Sequence, residues 1–551
     1  MIRSQLKDLV DQCFSRGVDQ GLWSEAGAGL YNVEVPRHEG QGDFATNFAM
    51  VLAGKEKRNP REIAGQLVEL LKEDSTLLDK VEIAGPGFVN LFLKPSVWST
   101  VLAPIAEQGE QFGLSDIGKG KKVMVEFVSA NPTGPLSVGH GRNAILGDSI
   151  ARLLKATGHK VTREYYFNDA GRQMRVLADS LRARYLEKLG LENEFPEDGY
   201  QGDYIYDIAQ AMIDEAGDEF RDADQDVFRK RAEEAIFADI DATLKRIGIT
   251  FDSYYNEHTL YEEGRIDDVV NKLRGRGLVY EQDEATWFKT TEFGQQQDRV
   301  IIKKTGEPTY RLPDIAYHRE KFRRGFDWMI DIFGADHIAT VPDVMAGIEA
   351  LGYNKSKVEV ILHQFVTLLR DGKQVKMSTR KATFVTVDEL VDEVGVDALR
   401  FFFLMRKPDS QLEFDLELAT AQSQENPVYY VQYAHARLCS IERMAVEKGV
   451  CLPQLADADL NLLQEQEEYQ LLKTLGSYPA LVANAAADLA PHRIIFFLMD
   501  LAANFHSFYN KHKVVTEDQQ LTAARLCLCQ GVKRVLANGL ALVGLTAPER
   551  M

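Results

Sequence analysis

Cysteine is scarce in this sequence, and its placement excludes two kinds of site. Five cysteines are spread over 551 residues and none forms a C-x-x-C pair, so we expect neither a disulfide framework nor a zinc site, and no other protein-held metal. Such cysteine usage fits a reducing cytoplasm best.

Long apolar runs are also missing. The N-terminal stretch MIRSQLKDLVDQCF interrupts its apolar positions with Lys7, Asp8 and Asp11, and no other stretch approaches the roughly 20 residues that cross a membrane. We therefore expect neither a signal peptide nor a membrane partner. Hydrophobic residues make up 45% and charged residues 27%, which is the balance of a chain folded nearly throughout. Because the chain is too long for one core, about two to four domains are expected.

Positive charge is in short supply. The chain has 64 Lys and Arg against 83 Asp and Glu, which gives a formal net charge of −19. Indiscriminate binding of nucleic acid is therefore not expected, because it depends on clustered cations that displace counterions from phosphate. Any RNA partner must be met by local patches.

The patterning divides the chain into three regions. Residues 1–95 combine an amphipathic helix with strand-like runs around a Gly-Pro-Gly turn and predict a small α+β domain. Residues 119–410 begin with the buried strand VMVEFVS and continue with the strands VTREYYF, WMIDIF and VEVILHQF, which predicts a doubly wound, Rossmann-like parallel sheet. An acidic helical stretch at about 185–290 is interpreted as an insertion between the two halves of this sheet. Helix formers dominate residues 411–551 and predict an all-α domain.

A turn-rich loop after the first buried strand indicates a phosphate site. In EFVSANPTGPLSVGHGRNAILGD, glycines at 134, 139 and 141 allow close backbone approach, and His140 lies where a helix begins. A helix N-terminus attracts anions through its unpaired N–H groups, and the ring of His140 can donate to a phosphate oxygen. A capping or core histidine is the alternative interpretation.

A second polar loop lies far downstream, in DGKQVKMSTRKATF. Alone it would be a solvated run of charge. Together with the first loop it resembles the KMSKS sequence of class I aminoacyl-tRNA synthetases, whose partner is the H-x-G-H sequence. The resemblance implies that Lys376 and Arg380 close over the leaving pyrophosphate while His140 holds it from the helix end. Two positions depart from the pattern: Ser137 replaces the first histidine, and Ala382 replaces a common glycine.

By the same resemblance, ATP is a substrate, Mg²⁺ assists its phosphates, and no covalent enzyme intermediate is needed. Ser137 is expected to give a weaker phosphate contact than histidine, because a hydroxyl is shorter and cannot carry charge. The residues that the resemblance places at ATP are Gly134, Gly139, His140, Gly141, Lys376, Met377 and Ser378.

Within this class the chain is similar to the arginyl-tRNA synthetase family over nearly its whole length, in segments such as GDFATN, EYYFNDAGRQM, DIAYH, VDALRFF and NPVYYVQYAHAR. This implies ATP-dependent activation of arginine and its transfer to the 3′ end of tRNA-Arg. A guanidinium is best read by carboxylates, and Asp314 matches the family position that does so. Further residues expected in the arginine pocket are Glu126, Asn131, Tyr310 and, as a weaker candidate, His337.

The tRNA is expected to meet two regions. The N-terminal region resembles the domain that contacts the outer corner of tRNA in this family. In the helical region, Tyr430, Tyr433 and Tyr509 match positions that stack anticodon bases, and each such stack is worth about 1–3 kcal/mol. An aromatic seam in the helical core is the alternative for each. A monomer is usual in the family.

Alternatives stay open for single residues and for the whole chain. Asp314 can be a helix cap, Tyr310 a core aromatic and His337 a structural histidine. Another class I adenylate-forming enzyme would share the first loop but lack the pair Tyr310 and Asp314. A non-catalytic tRNA-binding paralogue would fit Ser137, although the KMSTR loop argues against it. Aminoacylation with a panel of amino acids separates these readings.

Overall fold

The computed structural model describes residues 2–36, 40–74, 76–375 and 385–551. The predicted loop residues Lys376, Met377, Ser378 and Arg380 lie outside the described residues. Among the described helices, none has the length and apolar character required to cross a bilayer.

The N-terminal region is a four-stranded antiparallel sheet covered by helices, in the order β1-β2-β4-β3. Its strands are β1 Val33–Glu34, β2 Phe44–Thr46, β3 Leu78–Ala84 and β4 Phe88–Leu93. Its helices are α1 Ile2–Asp19, α2 Phe48–Glu56 and α3 Pro60–Asp74. The predicted Gly-Pro-Gly turn joins β3 to β4, where Gly85 and Gly87 take positive φ angles of 51° and 141° that favour glycine. The α+β expectation is confirmed.

A five-stranded parallel sheet forms the centre of the molecule, with the order β12-β11-β5-β6-β7. Its strands are β5 Lys122–Glu126, β6 Lys160–Phe167, β7 Ser253–Asn256, β11 Trp328–Gly334 and β12 Val358–His363. Val123 and Val125 pack into the core on one face, while Met124 packs into a second core on the other. The strand order reverses at β5, and ligands of such sheets bind outside the carboxyl ends of the strands at that point.

Helices cover both faces of this sheet, as expected for a doubly wound domain. The helices before and within this part are α4 Pro95–Ser99, α5 Leu102–Gln108, α6 Val138–Ala156, α7 Arg172–Lys188, α8 Asp203–Ala216, α9 Gln225–Arg246, α10 His258–Glu262, α11 Arg265–Gly275, α12 Arg311–Arg323, α13 Val341–Ala350, α14 Val387–Val394, α15 Val396–Leu404 and α16 Leu416–Thr420.

Two small sheets complete this part. One is antiparallel and consists of β8 Val279–Gln282, β9 Ala285–Phe288 and β10 Arg299–Ile302. The other joins β13 Val366–Arg370 to β14 Lys373–Gln374 and β15 Leu412–Asp415. The strand β15 shows that the chain just after residue 411 still pairs with this part.

The stretch at about 185–290, interpreted from sequence as an insertion, contributes β7 to the central sheet. That part of the stretch therefore belongs to the sheet itself. The helices α7, α8 and α9 form the crossover from β6 to β7. The parts of the stretch outside this crossover and β7 depart from a simple doubly wound pattern.

The C-terminal region is a bundle of four helices, α17 Pro427–Glu447, α18 Gln466–Ala487, α19 His492–Lys511 and α20 Gln519–Leu542. It also contacts the N-terminal region, where the Tyr469 hydroxyl donates to Asp43 Oδ2 at 3.3 Å.

One buried arginine joins the bundle to the central sheet. Arg400 on α15 donates to Asp148 Oδ2 of α6 at 2.5 Å, to the Ile247 carbonyl at 2.9 Å and to the Val543 carbonyl at 3.1 Å. These partners lie on α6, directly after α9 and directly after α20. Arg400 therefore holds these three helices against α15.

Candidate active site

The loop between β5 and α6 is strained where it leaves the sheet. Val128 and Ser129 have φ angles of 66° and 41°, a left-handed conformation that is costly for a β-branched valine. The Val128 amide donates to Asn143 Oδ1 at 2.6 Å, and the Ser129 hydroxyl donates to Glu126 Oε1 at 3.0 Å. These bonds hold the turn in a shape that its own backbone disfavours.

His140 and Ser137 share the first turn of α6. The Ser137 backbone N–H donates to Nδ1 of His140 at 3.2 Å. Burial lowers the pKa of His140, against the opposing charge of Asp336, so the ring is neutral near pH 7. Because Nδ1 is an acceptor, the neutral ring carries its proton on Nε2, which can donate to a ligand.

Ser137 is the N-cap residue of α6, and its hydroxyl lies 3.2 Å from His140 Nδ1. The structure therefore gives it a capping role in addition to any contact with phosphate. Gly139, in the same turn, has space where a side chain would point: an added Cβ would meet nothing closer than Ser137 Oγ at 3.7 Å.

The described residues on either side of the KMSTR sequence are hydrogen-bonded to the start of α6 and to β13. The Val387 amide donates to the Leu136 carbonyl at 2.8 Å, and the Val138 amide donates to the Val385 carbonyl at 3.3 Å. On the other side, the Val375 amide donates to the Leu368 carbonyl of β13 at 2.9 Å. Val385 and Val387, which follow Lys376 and Arg380 in the sequence, are thus held against the start of α6.

A small, partly open pocket lies beside the carboxyl end of β11. Its polar end is formed by Asp314 and His318, and Phe333, Val344 and Met345 are among its apolar lining residues. A long side chain with an apolar stem and a cationic tip matches this distribution of surfaces.

Asp314 lies in the first turn of α12 with its carboxylate turned to the pocket. Among the described residues, no hydrogen bond or ion pair reaches this carboxylate. Burial raises the pKa of Asp314 to about 7, and the negative charges of Glu126 and Glu257 add to the rise while His318 opposes it. A ligand cation would supply the missing partner.

Glu126 lies behind Asp314 in a buried ionic network. The Lys321 ammonium donates to Glu126 Oε2 at 2.5 Å and to Asp331 Oδ1 at 2.6 Å, and all three side chains are buried. Both oxygens of Glu126 therefore have partners within the protein, since Ser129 donates to the other. The structure places Glu126 as a support of the pocket.

A second carboxylate near Asp314 was not predicted from the sequence. Glu257 follows β7, is 7% exposed, and accepts from the Tyr166 hydroxyl at 2.8 Å and the Tyr261 hydroxyl at 3.5 Å. Burial raises the pKa of Glu257. The sequence signal for Glu257 is an acidic residue directly after a strand. The sequence does not identify β7 as a strand of the sheet, however.

Of the other predicted arginine contacts, His337 lines this pocket, whereas Tyr310 and Asn131 are not among its lining residues. Tyr310 precedes α12 and is 70% exposed, so its ring is not packed in the core. Asn131 Nδ2 donates to Gln173 Oε1 at 2.7 Å. His337 lines the pocket with an exposed ring stacked on Phe333, with the ring centroids 5.1 Å apart.

The three predicted tyrosines of the helical region are half-buried. Two of them pack on one guanidinium, and the third packs on a histidine. The Arg437 guanidinium lies 4.5 Å from the ring centroid of Tyr433 and 4.8 Å from that of Tyr509. The ring of Tyr430 lies 4.5 Å from His506. The rings are neither fully in the core nor fully exposed, so each presents one part to solvent.

Family models match three consecutive parts of the chain. “Arginyl tRNA synthetase N terminal domain” matches residues 2–93, “tRNA synthetases class I (R), catalytic domain” matches residues 102–402, and “DALR anticodon binding domain” matches residues 431–551. The catalytic match, on a doubly wound sheet, makes the chain a class I aminoacyl-tRNA synthetase.

Similar proteins narrow the class. The chain is 66% identical to the arginine–tRNA ligase of Desulfotalea psychrophila over 100% of both chains. It is 51% identical to that of Salinibacter ruber, over 94% of this chain and 95% of the relative. The Thermus thermophilus arginyl-tRNA synthetase has the same fold, with a TM-score of 0.75 at 22% identity over 100% of both chains. The chain belongs to the arginyl-tRNA synthetase family. The predicted fold class and the predicted function, an arginine–tRNA ligase that uses ATP as a substrate, are thereby confirmed.

Proposed function

We propose that the pocket between α12 and β11 binds the arginine side chain, and that the start of α6 binds the phosphates of ATP. The observation that carries this assignment is the half-buried Asp314 carboxylate, which faces the pocket without a partner among the described residues. Glu257 supplies a second carboxylate behind Tyr166. Two carboxylates suit the several N–H donors of a guanidinium better than one.

The apolar wall supports the same assignment. Phe333, Val344 and Met345 can pack on the three methylenes of arginine while its cationic tip reaches Asp314. Lysine has a compact ammonium that lacks the planar fork of five donors of a guanidinium, so it gains less from this arrangement. From the family resemblance, Asn131 and Tyr310 are proposed to contact the α-amino and side-chain ends respectively.

The chemistry at the other end is electrostatic. His140 donates from Nε2, and the α6 N-terminus adds unpaired backbone N–H groups next to Gly139, where a phosphate can approach closely. Lys376 and Arg380 are proposed, from their motif, to neutralise the pyrophosphate as it leaves. The carboxylate of arginine is the nucleophile at the α-phosphorus, and pyrophosphate is the leaving group.

Magnesium is proposed to arrive with ATP. Among the described residues, no group of three or more His, Cys, Asp or Glu side chains is arranged to hold a metal ion. A phosphate-bound Mg²⁺, which needs few protein ligands, fits this donor set. It would supply charge neutralisation at the phosphates.

For the tRNA, we propose that Tyr430, Tyr433 and Tyr509 stack anticodon bases, supported by their partly exposed rings and by Arg437 between two of them. The helical region would then read the anticodon, and the N-terminal region the outer corner. We further propose a monomer that works in the cytoplasm, consistent with the sparse cysteines, which form no C-x-x-C pair.

The test of the arginine site is Asp314→Asn. This change exchanges a charge-assisted contact for a neutral amide, and we expect the KM for arginine to rise by a factor that corresponds to about 2–4 kcal/mol, while the KM for ATP changes little. Glu257→Gln should act in the same direction. Aminoacylation kinetics at varied arginine and varied ATP measure both constants.

Glu320→Gln is the matched control, because Glu320 lies on the same helix but pairs with Arg323 at 3.1 Å near the surface. Its arginine KM should equal that of the wild type. An unchanged arginine KM in Asp314→Asn would place guanidinium recognition elsewhere.

A further inference from the structure

The arginine pocket lies on a buried cluster of charges that is larger than the substrate needs. Lys321 follows Asp314 by two turns of α12, and its side chain is completely buried. It pairs with Glu126 from β5 and with Asp331 from β11. An ammonium is expensive to bury, so its presence directly behind the pocket calls for a function.

His318 belongs to the same cluster. Its Nδ1 lies 2.8 Å from the Asp314 carbonyl oxygen and its Nε2 lies 2.8 Å from Asp331 Oδ2. These two contacts hold the ring of His318 between the Asp314 backbone and the Asp331 carboxylate, beside the ammonium of Lys321.

Asp314 has no such cationic partner among the described residues. Resting on the arginine site proposed above, we propose that Lys321 is a positioning residue: its ammonium balances Glu126 and Asp331, so that their charges do not disfavour the ionised form of Asp314 that receives the substrate guanidinium. The same ammonium fixes Glu126, which accepts from Ser129 and thereby holds the strained turn that leads to Asn131.

The charge balance follows from all groups that face Asp314. They are Glu126 on β5, Tyr166 on β6, Glu257 and Tyr261 after β7, His318 and Lys321 on α12, Asp331 on β11 and His337 after it. Burial raises the pKa of Asp314 to about 7, with Glu126 and Glu257 raising it further and His318 and Lys321 lowering it. Although burial opposes the charge on Lys321 itself, Asp331 and Glu126 raise the pKa of its ammonium, so it stays protonated near neutrality.

The sign of the pH effect is determined by which form binds. Arginine binds the ionised carboxylate, so affinity increases as the pH rises through the pKa of Asp314. Without Lys321, the charge on Glu126 faces Asp314 uncompensated and moves that midpoint to higher pH, by about one pH unit or more. At pH 7 arginine should then bind about fivefold more weakly, and the loss should shrink as the pH approaches 8.5.

The experiment is calorimetric titration of the full-length protein with arginine at a series of pH values, for the wild type and four variants. Lys321→Met should shift the midpoint upward. Lys321→Arg keeps the charge and should keep the midpoint, even where its larger fork weakens binding at every pH. The double variant Lys321→Met with Glu126→Gln removes one charge of each sign and should move the midpoint back. Lys355→Met, an exposed lysine paired with Glu349 at 2.6 Å, changes the net charge equally and should leave the profile unchanged.

Failure to fold does not remove the test. Glu126→Gln alone keeps the buried ammonium and removes one negative charge facing Asp314, so its midpoint should lie below that of the wild type; thermal melting reports whether each variant is folded. A Lys321→Met profile that is uniformly weaker at every pH, or a Glu126→Gln midpoint equal to the wild type, would overturn the positioning role.

The experiments distinguish an error in the proposed arginine site from an error in the proposed role of Lys321. If Asp314→Asn leaves arginine binding unchanged, the proposed arginine site is wrong and the role of Lys321 falls with it. If Asp314→Asn weakens binding while the midpoint ignores Lys321 and Glu126, the arginine site stands and the positioning role is wrong.

Discussion

At the residue scale, His140 and Ser137 share one hydrogen-bonded turn but have unequal prospects as phosphate ligands. The Nδ1 atom of His140 is occupied by the Ser137 backbone N–H, which leaves Nε2 as a donor. The Ser137 hydroxyl caps α6 and lies beside the same ring. Since a backbone N–H persists in every substitution except proline, the ring orientation of His140 does not depend on the Ser137 side chain.

We therefore expect His140→Ala to reduce kcat for adenylate formation on the order of 10²–10³-fold, the cost of one donor to developing charge. Ser137→Ala should reduce it by about fivefold or less, because the loss is mainly a helix cap of about 1 kcal/mol. Single-turnover adenylate formation with saturating arginine, ATP and tRNA measures both. Equal damage from the two variants would make Ser137 a full phosphate ligand and reverse this ranking.

At the scale of elements, the start of α6 is packed on one side and open on the other. A Cβ at Gly141 would lie 2.9 Å from Val387 Cγ2 and 3.2 Å from Phe403, so α6 sits directly on α14 and α15. At Gly139 a Cβ would meet no atom closer than 3.7 Å. Gly141 is therefore required for helix packing, and Gly139 leaves room for a ligand.

This contrast gives a paired prediction. Gly141→Ala should lower the free energy of unfolding by about 1–3 kcal/mol through overpacking. Gly139→Ala should change it by less than about 1 kcal/mol, since alanine favours the helix, yet it should raise the KM for ATP because the new methyl enters the nucleotide side. Urea denaturation and kinetics at varied ATP provide the two measurements. Equal stability of both variants would contradict the packing argument.

The strands illustrate what could be read from the sequence at this scale. The first strand is predictable because four of the five residues of β5 are buried, which gives a continuous apolar run. The strand β7 has four residues, Ser-Tyr-Tyr-Asn, of which none is fully buried. Such a segment carries no apolar run, so it becomes a strand only by pairing with β6. With β7 unrecognised, Glu257 could not be placed at the carboxyl edge of the sheet.

At the scale of the whole molecule, the helix α6 packs against the C-terminal bundle and is also linked to it by one buried side chain. Arg400 donates to Asp148 of α6 and to the carbonyl of Val543 at the end of α20. A Cβ at Gly544 would lie 2.3 Å from the guanidinium, so the chain after α20 fits closely around it. A change in the bundle on binding tRNA therefore has a packed route to α6.

We expect arginine-dependent exchange of pyrophosphate into ATP to be weak for the free protein and to rise when cognate tRNA is added. An increase of about tenfold or more would correspond to a coupling free energy within the usual 1–3 kcal/mol. The assay compares no tRNA, cognate tRNA and a non-cognate tRNA, which serves as the control for non-specific RNA. Exchange of equal rate without tRNA would remove this prediction while leaving the enzyme class intact.

The sequence by itself determined the family, the three-region order and the phosphate motif, because these depend on local patterns: an apolar run, glycines before a helix, and His140 at its start. It also pointed to Asp314, through its spacing from Tyr310. Only the tertiary structure decided how charges far apart in the chain combine. Glu126, Glu257 and Lys321 come from β5, the end of β7 and α12, and no sequence spacing brings them together. Their roles follow from burial. A carboxylate that the folded chain shields from water depends on its protein partners, whereas an exposed one is solvated.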